Sequence, residues 1–192
     1  MAGHFQSAGH RRLKATAAVL AGGLSRRMGA DKLSMELGGR SLLDRVLQVL
    51  HPRFEEILVV GRAVDGYRSV PDLFPVKASL VGLHSALVHA SYPRVFVCGG
   101  DMPYLNGSLI EALGDVAEPV VVPRTDRPHP LHAWYEPSVC LAPVEAACRA
   151  DKLRLTDLLD SLPVSWVDEP WLCRYDPGLS SLTNVNTWGD LP

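Results

Sequence analysis

Short apolar runs alternate with amphipathic stretches along almost the whole chain, and this alternation is the strongest constraint on its fold. Ala15 to Leu20 reads as a first strand, and Ile57 to Val60 as another that is unbroken in its apolar character. A strand with no polar alternation is one covered on both faces. Arg94 to Cys98 has the same character, Val70 ends a shorter strand, and Val120–Val122 and His132–Tyr135 supply further ones. Between them lie helical patterns. Ser41 can cap a helix with Leu42, Leu43, Val46, Leu47 and Leu50 on one face, stopped by Pro52. Ser79 can cap a second, with Leu80, Leu83, Leu87 and Val88 inward; Ser108–Leu113, Val139–Arg149 and Leu155–Leu162 follow. Val164 to Val167 closes the alternation as an edge or antiparallel strand. The expected fold is α/β: a single Rossmann-like three-layer domain, with a mainly parallel sheet and helices on both faces.

With 192 residues the chain suits one domain. Residues 1–14 are polar, lack periodicity and read as a flexible tail, leaving 15–192 as the folded domain. Arg11, Arg12 and Lys14 before an apolar run raise the alternative of a signal peptide, but Gly22 and Gly23 interrupt that run and Arg26 and Arg27 follow it. No apolar run is long enough for a transmembrane helix, and a cytoplasmic location is expected. The net charge of -2 argues against a nucleic-acid or membrane-surface partner. An anionic ligand therefore needs a local cluster of cations. Cys98, Cys140, Cys148 and Cys173 form no C-x-x-C pair and read as free thiols.

In open parallel sheets ligands bind beyond the carboxyl ends of the strands, and two loops leave such ends. The first is Leu20-Ala21-Gly22-Gly23-Leu24-Ser25-Arg26-Arg27-Met28-Gly29-Ala30-Asp31-Lys32. Its glycines expose backbone amides that can converge on an anion. Arg26, Arg27 and Lys32 add the forks and ammonium that phosphate oxygens accept from. It is neither a Walker A loop nor a dinucleotide fingerprint. The second loop follows Val95-Phe96-Val97-Cys98 and reads Gly99-Gly100-Asp101-Met102-Pro103. Taken alone, Asp-x-Pro is commonly a turn. A carboxylate facing a phosphate loop also suits magnesium, which takes few carboxylates and fills its shell with water and phosphate.

The first loop meets every fixed position of the L-A-G-G-x-S-x-R-M-G-x-D-K pattern and resembles the molybdenum cofactor guanylyltransferase (MobA) family. The resemblance runs roughly from Thr16 to Leu191. It continues through His129-Pro130-Leu131-His132-Ala133-Trp134-Tyr135, similar to the family's H-P-L-x-A-x-Y, and Asn184-Val185-Asn186-Thr187, similar to N-x-N-T. It implies transfer of GMP from GTP to the phosphate of molybdopterin, with Mg²⁺ and with Mn²⁺ as an alternative. It also implies that Leu20, Ala21, Gly22 and Gly23 contact the nucleotide, that Arg27 and Lys32 meet its phosphates, and that Asp101 holds the metal. Asp72 aligns with a nucleotide-site aspartate, although a turn after Pro71 accounts for it equally simply. Asn184 and Asn186 suit a pterin or ribose edge, or else an Asx-turn cluster.

The same resemblance implies transient contact with molybdoenzymes or their chaperones. His129 and His132 lack helical ligand spacing and are not expected to bind a metal. The chain departs from the family at Ala78-Ser79-Leu80-Val81-Gly82, where many members have G-P-L-x-G, and at Gly61, where some have asparagine. Three other functions remain open at this level: a cytidylyltransferase, a sugar-phosphate nucleotidylyltransferase, and a non-catalytic module that delivers cofactor.

Overall fold

A computed structural model describes residues 12–22 and 32–185. Among these, seven strands form one sheet: β1 (Leu13–Leu20), β2 (Phe54–Val60), β3 (Arg68–Val70), β4 (Val95–Gly99), β5 (Val120–Arg124), β6 (His132–Tyr135) and β7 (Val164–Asp168). Their order across the sheet is β3-β2-β1-β4-β6-β5-β7. β6 alone among them runs against its neighbours β4 and β5; the other pairings are parallel. β1 lies centrally, with Val19 opposite both Val59 and Cys98.

The expected three layers form because side chains alternate across each strand. On one face Ala17, Val19, Phe54, Phe96 and Trp134 pack beneath α1 (Leu42–Leu50) and α3 (Gly107–Gly114). On the other, Ala18, Leu58, Val97 and Tyr135 pack beneath α2 (Ser79–His89), α4 (Pro137–Arg149) and α5 (Leu155–Leu159). The short α6 (Glu169–Leu172) follows β7 and returns Leu172 to the first face. No helix of the described residues is long and apolar enough to cross a membrane.

Local expectations fare unevenly. Ser41 does cap α1, its hydroxyl accepting from Asp44 N at 3.0 Å. Ser79 does not cap α2. It is the helix's first residue, and Ala78 stands at the cap without a side-chain bond. Leu80, Leu83 and Leu87 are buried, but Val88 is 44% exposed; it is rotated about 100° from Leu87 and leaves the packed face. β1 begins at Leu13, so Leu13 and Lys14 join the sheet. α5 stops at Leu159 rather than reaching Leu162. β7 is an edge strand as expected, but it runs parallel to β5. The reversed strand is β6, because only a short loop, 125–131, joins it to β5, whereas the crossover through α4 and α5 lets β7 start beside Val120 and run parallel to β5.

Two features of this frame have measurable consequences. Where β2 ends, Gly61 takes φ +82°, and a Cβ there would lie 2.6 Å from Gly22 Cα. Both the left-handed backbone and the contact disfavour a side chain at this position. Gly39 has a similar φ of +75° but open space around it. Gly61→Ala is therefore expected to lose about 2 kcal/mol or more in urea unfolding, and Gly39→Ala only about 1. Equal losses would mean that the approach of Gly61 to Gly22 is unimportant.

The second is His132. It is completely buried on β6, edge-on to Phe96 at 5.2 Å between ring centroids, and neither ring nitrogen has a hydrogen-bond partner. Burial, with His129 adding a smaller effect and Asp176 opposing, lowers its pKa to about 3. A histidine kept neutral in the fold contributes stability that is full above its unfolded value near 6.5 and is lost as pH falls toward 3. Between pH 7 and 4.5 the wild type should lose roughly 2 kcal/mol more than His132→Leu in denaturant titrations. Identical acid sensitivity would assign the loss to other groups.

Candidate functional site

The parallel register of β1 with β2 and β4 brings three strand ends together. Ala21 N donates to Val60 O at 2.9 Å, and Gly100 N donates to Leu20 O at 3.0 Å. Leu20, Ala21 and Gly22 are thereby fixed between Gly61 on one side and the Asp101 loop on the other. Gly82 of α2 lets the helix approach Leu20, since a Cβ there would stand 3.1 Å from Leu20 Cδ1.

At the end of β4 the carboxylate of Asp101 folds back over the strand. A Cβ on Gly99 would sit 2.5 Å from Asp101 Oδ1, so glycine leaves the carboxylate free to take this position. Oδ2 lies 2.7 Å from Lys32 Nζ, with both side chains about one fifth exposed. The two residues come from positions 69 apart in the chain, yet they share one partly sheltered cleft. Cys98, directly behind, is wholly buried; burial first and the charge of Asp101 second push its thiol up. It therefore stays protonated and takes no part as a nucleophile.

Asp72 enters from β3. Its Oδ2 is 3.1 Å from the Cβ position of Gly22 and 2.5 Å from Lys77 Nζ. Beside it an open cavity of about 500 Å³ is lined by Gly61, Arg62, Ser69, Asp72, Phe74 and Lys77 among others, large enough for a nucleoside-sized group.

From the other flank the C-terminal segment closes on Asp101. Val185 N donates to Asp101 O at 2.9 Å, and Val185 is buried with Met35 and Leu42. This places Asn184, half-buried, next to the aspartate loop.

Leu20, Ala21, Gly22, Lys32, Asp72, Asp101 and Asn184 thus fall along one edge of the sheet. Gly23, Arg27 and Asn186 lie outside the described residues. The H-P-L-x-A-x-Y stretch divides: His132 through Tyr135 are core, whereas His129, Pro130 and Leu131 are half-buried ahead of the strand. His129 Nε2 lies 2.9 Å from Thr125 Oγ1. Among the described residues no cluster of three His, Cys, Asp or Glu side chains can hold a metal.

Gly61 stands out in the sequence only as a departure from the family pattern, and Lys77 was missed. Gly61 follows β2 as Gly22 follows β1, and that recurrence was a usable signal. Lys77 carried none, being one lysine in a Pro-rich loop.

An edge that combines bare backbone, a cation and a carboxylate can receive a polyanion together with a divalent ion. The comparisons with known proteins point the same way. The family model of the MobA-like NTP transferase domain matches residues 17–165. The chain is 34% identical over 187 residues to a probable molybdenum cofactor guanylyltransferase of Pelotomaculum thermopropionicum, covering 93% of this chain and 91% of that one. It is 32% identical to the molybdenum cofactor guanylyltransferase of Desulfosudis oleivorans, with 92% of each covered. The crystal structure of molybdopterin-guanine dinucleotide biosynthesis protein A from Archaeoglobus fulgidus superposes with a TM-score of 0.80 at 28% identity, over 91% of this chain and 94% of that one. With the matched region running from β1 into β7, the chain belongs to the family of MobA-like NTP transferase domains.

Proposed function

We propose that this nucleotidyltransferase moves GMP from GTP onto the phosphate of molybdopterin, yielding the guanine dinucleotide cofactor and pyrophosphate. The observation that carries the proposal is the 2.7 Å approach of Lys32 to Asp101 beside the uncovered backbone at Gly22. The guanylyl assignment follows the curated relatives, which bear that name over nearly the whole length of the chain.

In this reaction an oxygen of the acceptor phosphate forms a bond to the α-phosphorus of GTP, and the bond to the bridging β-oxygen breaks. That oxygen is already anionic near neutral pH, so no strong general base is needed. The obstacle is repulsion between two polyanions: unit charges 4 Å apart cost about 4 kcal/mol at an effective dielectric near 20. Lys32 answers it by placing its ammonium among the phosphate oxygens, while the amides at Ala21 and Gly22 hold the chain still for in-line attack. Asn184, on the Asp101 side, would orient the acceptor.

The donors present suit a hard cation. Asp101 offers carboxylate oxygens at the lip of the cleft, and the thiol behind it is protonated and buried. One carboxylate is enough for magnesium when substrate phosphates complete the shell, and manganese accepts the same oxygens. The ion, when bound, supplies positive charge to the α-phosphate and the departing pyrophosphate. Asp101 would hold it, with Lys32 moving from the carboxylate to phosphate.

Asp101→Ala is expected to lower kcat about a hundredfold or more, measured as pyrophosphate release with GTP, molybdopterin and a magnesium titration. Activity unchanged across that titration would remove Asp101 from metal binding. Lys32→Ala should cost about tenfold or more in kcat/KM for GTP, and wild-type kinetics would show that the loop does not grip phosphate. A calorimetric preference for CTP over GTP would overturn the guanine assignment.

A further inference from the structure

Asp72 occupies an uncomfortable place for an anion. Its carboxylate is only 9% exposed and lies against both bare glycines, with Oδ2 3.1 Å from the Cβ position of Gly22 and 3.4 Å from that of Gly61. If the cleft receives a triphosphate, as the proposed function holds, an unscreened carboxylate in its wall opposes the substrate. The 2.5 Å pair with Lys77 answers this. Lys77 is 44% exposed, yet it is not a loose surface lysine. The connecting loop is restricted by Pro71 and Pro75, which fix φ. It is pinned to α2 by Leu73 N donating to Ser85 Oγ at 2.9 Å, and by Phe74 set edge-on to His84 at 5.1 Å. Both Asp72 and Lys77 line the same cavity.

We infer that Lys77 is a positioning residue for the nucleotide. It orients the Asp72 carboxylate against Gly22 and Gly61 and cancels its charge, so that the wall of the cleft is a neutral, directional acceptor rather than a repelling anion. The function rests on the Asp72–Lys77 pair and not on lysine alone, which sets it apart from Lys32 on the phosphate side. It therefore acts on binding and leaves the chemical step unaltered.

The test is calorimetric titration of GTP with Mg²⁺ into the full chain, paired with steady-state kinetics and thermal unfolding. Lys77→Met should raise Kd and KM for GTP about tenfold, with kcat within about twofold and Tm little changed. Lys77→Arg should restore most of the affinity. If charge cancellation is the role, Asp72→Asn in the Lys77→Met background should bind GTP more tightly than Lys77→Met itself. Wild-type affinity in Lys77→Met overturns the inference, as does a double variant no tighter than the single one. A wild-type protein that binds no GTP overturns the proposed function as well; GTP binding by wild type with an indifferent Lys77→Met overturns only the role of Lys77.

Discussion

The site exists because β1 pairs in parallel with both β2 and β4. That pairing stacks Leu20 beside Val60 and Gly99, so the three chains leave the sheet at one level and in one direction. Everything functional hangs from this edge. The backbone bonds from Ala21 to Val60 and from Gly100 to Leu20 continue the ladder one step past the strands. They hold the departing loops in place without side chains, and the space left over is where Lys32, Asp72 and Asp101 meet. A one-residue slip in the register would turn each strand's side chains to the opposite face and separate the glycines. The packed alternation of Ala17 and Val19 against Ala18 is thus a condition of the site as much as of the core.

Glycine at this edge serves proximity rather than flexibility. At position 61 the backbone is left-handed and nearly touches Gly22; at position 99 the conformation is ordinary, but a Cβ would strike the Asp101 carboxylate. In both cases the missing side chain is replaced by a neighbouring group that the chemistry needs. Gly22 is hemmed less tightly than the other two, with Asp72 Oδ2 at 3.1 Å and Gly61 Cα at 3.2 Å from its Cβ position.

The layered architecture was legible because the apolar runs of β1, β2 and β4 lack alternation and are therefore sandwiched. The apolar face of α1 was as clear, since its sheet-facing residues recur at threes and fours. The reversed strand was not. His132–Tyr135 is too short to carry a directional signal, and strand order is set by which crossover packs on which face, which no local pattern records. The meeting of Lys32 and Asp101 was legible because the two loops that carry them both leave carboxyl ends of neighbouring strands. Lys77 was not, since its importance comes entirely from where Pro71 and Pro75 hold it. Val88 fails for the opposite reason: its apolar character fits the helix pattern, but α2 has already turned past its packed face.

The pairing of charges along the cleft then follows a single logic. Among the described residues, both carboxylates at this edge of the sheet stand beside a lysine, Asp101 with Lys32 and Asp72 with Lys77. Two buried or half-buried anions facing each other across bare backbone would repel any phosphate that entered. Matched with cations, these two carboxylates no longer present bare negative charge to the cleft. The pairs differ in burial, and the roles proposed for them follow that difference. Lys32 is 17% exposed and so sits within the cleft, where exchange of its partner from carboxylate to phosphate needs only a short movement. Lys77, at 44%, reaches Asp72 from the rim and has more to gain by staying on the carboxylate than by entering.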